Sequence, residues 1–126
     1  MEQKNEIIDL AFRLCQSGLI WHPEIGDEVV EKPSLSKLSI LVDSNSMTPR
    51  ELRDRFLWIP TVEQIAFQIE VREGFIYHLG MDDSLKYKTV ITKRGNLFEG
   101  FGNSIRVSFA WAFEKMLSSK DIFPVS

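Results

Sequence analysis

Leu57-Trp58-Ile59-Pro60-Thr61-Val62-Glu63-Gln64-Ile65 decides how this chain folds. Pro60 restricts Ile59 to extended backbone, so the chain must arrive here without helical character. Thr61 can then cap a helix, its hydroxyl accepting from the Gln64 amide while Gln64 reaches back to the Thr61 amide. Ile59 before the cap and Ile65 in the first turn are placed to pack on each other as a hydrophobic staple. The bulky Trp58 just ahead of the joint is expected to be mostly buried, covering one end of a core.

Downstream, Val62, Ile65, Ala66 and Ile69 share one face of a helix expected from about Val62 to Arg72, and Gly74 lies where it should stop. The period then changes from helical to extended. Residues 75–79, 85–91 and 97–101 read as three strands, joined by loops at 81–84 and 93–96 short enough for antiparallel hairpins. In the middle strand Leu85, Tyr87, Thr89 and Ile91 alternate with Lys86, Lys88 and Thr92, which predicts one wet face. Val90 breaks that alternation. Gly102-Asn103-Ser104 offers a turn and a cap for a last helix, in which Ile105, Ser108, Phe109, Ala112, Phe113, Met116 and Leu117 form a broad apolar stripe. Val107 and Trp111 widen the stripe at its flank and are candidate partner-binding residues.

Upstream, residues 5–17 carry Ile7, Ile8, Leu10, Ala11, Leu14 and Cys15 near helical spacing, with Gly18 at the C-cap position. Cys15 reads as a buried structural thiol. Residues 27–32 and 38–42 have strand length, with a turn expected at Pro33-Ser34. Thr48-Pro49-Arg50-Glu51 has the cap, first-turn proline and acid of a short helix. Asp121 to Ser126 form a short tail.

These signals point to one domain over residues 1–126. Its expected fold is α+β: an antiparallel sheet of three to five strands packed with an N-terminal, a central and a C-terminal helix. A length of 126 residues suffices for a core without staples. The composition, 44% hydrophobic and 26% charged, is that of a globular protein. A single cysteine excludes an intrachain disulfide and a zinc-finger ligand set. The polar start does not resemble a signal-peptide core, and no apolar run reaches the length of a membrane span, so a cytoplasmic location away from membranes is expected.

Several segments resemble small phage and prophage proteins grouped as the phage ABA sandwich domain. The similarity rests on Gly26-Asp27, on Trp58-Ile59-Pro60-Thr61 with Gln64, and on Gly102-Asn103-Ser104 with Ala110 and Ala112, over roughly positions 18 to 118. The long 33–56 segment departs from that pattern. The resemblance implies a phage-type origin and a layered architecture of helices and strands, and no activity.

Candidate chemistry is sparse. His22 and His78 could join Asp27, Asp82 and Asp83 only without recognised metal-ligand spacing, and Asp82-Asp83 is explained by turn formation. Gly100 and Gly102 lack the spacing of a phosphate loop. No metal, cofactor or catalytic set is therefore expected, and the chain reads as a non-enzymatic protein that binds another protein or itself. The alternative is a nucleic-acid-associated module. Lys86, Lys88, Lys93 and Arg94 fall in a window, residues 84–98, without an acidic residue, and could line a basic sheet face. The net charge of −3 weighs against that use.

Overall fold

The computed structural model describes residues 2–32 and 37–119. The expected turn at Pro33-Ser34 and the tail lie outside the described residues. In chain order the elements are α1 (Glu2–Gln16), β1 (Glu28–Glu31), β2 (Leu38–Ile40), α2 (Pro49–Arg55), β3 (Phe56–Trp58), α3 (Val62–Val71), β4 (Phe75–Met81), β5 (Tyr87–Lys93), β6 (Asn96–Gly102) and α4 (Ile105–Ser118). The fold is α+β. Its strands divide between two antiparallel sheets of three, ordered β2-β1-β3 and β4-β5-β6.

The joint at residues 57–65 forms as its sequence implies. Thr61 Oγ1 accepts from Gln64 N at 3.2 Å, and Gln64 Oε1 accepts from Thr61 N at 2.9 Å. Ile59 and Ile65 are both buried in the main core. The extended residues before Pro60 do more than approach the helix: they form β3, which pairs with β1 through Val29 opposite Trp58 and Val30 opposite Leu57. α4 locks the joint from outside. Arg106 donates to the carbonyls of Ile59 (2.8 Å) and Pro60 (3.0 Å) and pairs with Glu28 at 2.7 Å. The free Nε2 hydrogens of Gln64 are also used, donating to Asp27 Oδ1 at 2.8 Å. Asp27 Oδ2 accepts from the Trp21 indole (2.8 Å) and from Glu24 N (3.0 Å). One buried carboxylate thus ties the 19–26 connection, β1 and the start of α3 together.

Both faces of the β2-β1-β3 sheet are covered. Val30 and Leu57 face the main core with α1 and α4, whereas Val29 and Trp58 face a smaller cluster of Trp21, Leu41 and Leu52. Trp58 stacks on Trp21 with ring centroids 6.5 Å apart and is half-buried. The β4-β5-β6 sheet rests on α4 by one face. Gly100 and Gly102 lie directly beneath that helix, and a Cβ at Gly100 would overlap the backbone of Ser108 and Ala112. These two glycines therefore set the sheet-to-helix distance, and Ser104 caps α4 by accepting from Val107 N. The polar Thr89 and Ser108, both buried between sheet and helix, satisfy one another at 2.8 Å.

The expectation for Cys15 is corrected. Cys15 is exposed, because it lies in the last turn of α1 where no element packs over it; Leu10, Ala11 and Leu14 supply the buried face there.

Candidate functional site

Cross-strand partners share a face of a sheet, so the register assigns the paired residues of β4, β5 and β6. Toward α4 point Ile76, Leu79 and Met81, then Tyr87, Thr89 and Ile91, then Phe98, Gly100 and Gly102. Away from it point Phe75 and His78 on β4, Lys88, Val90 and Thr92 on β5, and Leu97, Glu99 and Phe101 on β6. Among the described residues no element packs on this second face. It mixes apolar and polar residues: Phe75 is 69% exposed, Leu97 and Phe101 are exposed and Val90 is enclosed at its centre, beside His78, Thr92 and the Lys88–Glu99 pair. The irregularity that Val90 introduces into the sequence pattern thus has a structural meaning: a buried apolar residue at the centre of the otherwise uncovered face.

β4 adds an edge to this face. It is the outer strand of its sheet, paired only with β5, and reads Phe-Ile-Tyr-His-Leu-Gly-Met, without proline, lysine, arginine, aspartate or glutamate. Natural edge strands are ordinarily blunted by such residues. α4 does not extend over β4, so Ile76, Leu79 and Met81 are also exposed although they lie on the helix side. Tyr77 sits at a bulge in the register and is 70% exposed. Beyond β4, Leu85 occupies the left-handed region at φ 65° and is 77% exposed. Its turn is held by Asp82 Oδ1, which accepts from Ser84 N, Ser84 Oγ and Lys86 N at 3.0, 2.8 and 3.1 Å. The Ser84 hydroxyl, followed by the Lys86 amide, holds the Asp82 carboxyl below its ordinary pKa.

The residues expected to bind partners are placed differently. Val107 is 2% exposed and packs beneath Gly102, so it forms no surface. Trp111 is covered by α1: its indole donates to Glu6 at 3.1 Å, and the Arg13 guanidinium lies 5.4 Å from its ring centroid. The flank of α4 is thus occupied by the chain itself. The four basic residues do not converge. Lys86 lies in the β4–β5 turn, whereas Lys93 and Arg94 lie at the opposite end of β5, roughly 20 Å away at strand rise. Between them Lys88 is engaged by Glu99 (3.8 Å) and by the Phe101 ring (5.8 Å). Among the described residues no three His, Cys, Asp or Glu side chains gather as a metal site, and no helix is long and apolar enough to cross a membrane.

The free edge escaped the sequence reading, though a signal was present. Residues 75–79 are apolar at both parities, the pattern of a strand buried on two faces. Such a strand at the end of a meander needs cover that this chain does not provide among its described residues. No protein-family model, curated protein or solved structure matches the chain.

Proposed function

We propose that this is a non-enzymatic accessory protein of phage or prophage type, working in the cytoplasm by protein–protein binding through the edge of β4 and the uncovered face beside it. The first occupant is a second copy of the chain. A two-fold axis pairs a strand with itself antiparallel, which leaves each edge satisfied by the same edge. β4 carries no formal charge that such pairing would set against its own copy. The pairing would also bring the two uncovered faces, each with an exposed Phe75, side by side. The observation that carries this reading is an uncharged seven-residue edge strand exposed on both faces.

The test is solution mass by light scattering across a concentration series, for the wild type and for Tyr77→Lys/Leu79→Lys. The wild type is expected to reach twice the 14.6 kDa chain mass, and the lysines to hold the variant at the monomer. A monomeric wild type at every concentration removes self-pairing and leaves a strand of another protein as the occupant.

The alternative, a nucleic-acid surface of Lys86, Lys88, Lys93 and Arg94, has less support because these residues are divided between the ends of β5 and Lys88 already has an acidic neighbour. Salt-sensitive retention of DNA or RNA in a gel shift, lost in Lys86→Glu/Lys88→Glu, would restore it.

A further inference from the structure

Away from β4, a cavity of about 350 Å³ opens between the C-terminal end of α1, the connection after Gly18, and β3. That volume lies in the lower range of small-molecule sites. Its wall is apolar along Ala11, Leu19, Phe56, Leu57 and Trp58, and two cations, Lys32 and Arg53, complete it. Among the described residues no acidic side chain lines it. Lys32 Nζ donates to the Arg53 carbonyl at 3.0 Å and Arg53 Nη1 to the Trp21 carbonyl at 3.0 Å, both in part-buried settings. Backbone carbonyls therefore hold both cations in place. Among the described residues neither lies within ion-pair distance of a carboxylate, in contrast to Arg55 with Glu31 and Arg106 with Glu28.

Two further features mark the surroundings of this cavity. Trp58 Nε1 is buried and has no hydrogen-bond partner among the described residues, and a buried donor without an acceptor is unfavourable. A second cavity, of about 310 Å³, shares Trp58 and Ile20 with the first but is lined by Glu24, Asp27 and Glu63. Negative and positive linings are thus segregated between neighbouring cavities.

We propose that the Lys32/Arg53 cavity binds a small amphipathic carboxylate, a medium-chain or aromatic acid. Its apolar body lies along Leu57, Phe56 and Trp58. Its carboxylate is received by Arg53, whose planar guanidinium suits two parallel hydrogen bonds, and by Lys32 as a second charge. This site is independent of the β4 interface.

Cys15 supplies a built-in reporter, since it lines the cavity and is the chain's only cysteine. The full chain is titrated with decanoate below its micellar concentration, with decanol and decylamine as matched controls. Binding is read by calorimetry and by the rate at which iodoacetamide, a neutral reagent, alkylates Cys15. Saturable one-to-one binding of decanoate that slows alkylation is expected, with decanol and decylamine roughly tenfold or more weaker. Arg53→Gln and Lys32→Gln should each lose roughly tenfold in decanoate affinity and leave decanol unchanged. Because Arg53 also holds the Trp21 carbonyl, Lys32→Gln keeps the test decisive if Arg53→Gln folds poorly. Equal binding of acid and alcohol, absence of binding, or an unchanged alkylation rate at saturation would each overturn the assignment.

Discussion

The two three-stranded sheets share antiparallel pairing, yet the chain covers them unequally. The β2-β1-β3 sheet has strands of three or four residues and is packed on both faces, by the main core and by the Trp21 cluster. The β4-β5-β6 sheet has strands of seven residues, more than twice as long as β2 and β3, and is packed on one. Short strands cannot hold themselves by ladder hydrogen bonds alone, so the first sheet depends on Asp27, Arg106 and the capped joint. The longer sheet needs no such ties on its outer side. Apolar side chains there, with an unblunted edge, are what association requires and what a monomer would be expected to avoid.

The sharpest way to test the contrast uses a single strand, β6, which has one residue set on each face. Gly100→Ala would drive a Cβ into the backbone of α4 and is expected to destabilise by about 3 kcal/mol or more, as overpacking against an unyielding neighbour. Leu97→Ser, on the uncovered face, should change monomer stability by no more than about 0.5 kcal/mol. Urea unfolding at low protein concentration measures both, and equal losses would erase the distinction between faces.

The next effect belongs to the shorter sheet. Asp27→Ala leaves the Trp21 indole, the Glu24 amide and the Gln64 amide without their acceptor and is expected to cost about 3 kcal/mol. Loss of the near-ultraviolet signal of the Trp21–Trp58 stack should accompany it. Retained stability would mean that the short sheet is held by packing alone.

Leu85→Gly is smaller and has the opposite sign. It relieves a leucine in the left-handed region and should raise monomer stability by up to about 1 kcal/mol, partly offset by the freedom of glycine in the unfolded chain. The same change removes an exposed apolar side chain beside β4 and should weaken dimerisation. Stabilisation without any change in association would exclude Leu85 from the interface.

The smallest effect is electrostatic. The folded-state pKa of Asp82 lies below 3.8, so its hydrogen bonds add stability above that value, and the contribution is lost as pH falls through the folded pKa. A slight destabilisation by Asp82→Ala near neutral pH should therefore shrink in acid. A difference that grows on acidification would contradict this sign.

Local chemistry made much of this fold legible. The Thr61–Gln64 and Thr48–Glu51 capping boxes, the Ser104 cap and the three long strands depend on residues close in sequence. Pairing was not legible, because the partnership of β1 with β3 spans the length of α2 and the 32–48 segment. Exposure depended on it: Cys15 follows the helical period, yet tertiary placement left it at a cavity rim. Likewise the width of the apolar stripe on α4 was evident, but not that α1 and Gly102 would cover Trp111 and Val107. The Lys32/Arg53 cavity joins residues from three separate segments, and no local spacing announces it.

Amide hydrogen exchange of β4, followed by mass spectrometry at increasing protein concentration, tests the interface most directly. Exchange from Phe75 to Met81 should slow as concentration rises, with no comparable change in β6, and Tyr77→Lys/Leu79→Lys should abolish the concentration dependence. β4 amides that exchange at the same rate at every concentration, in both proteins, would contradict pairing through this edge.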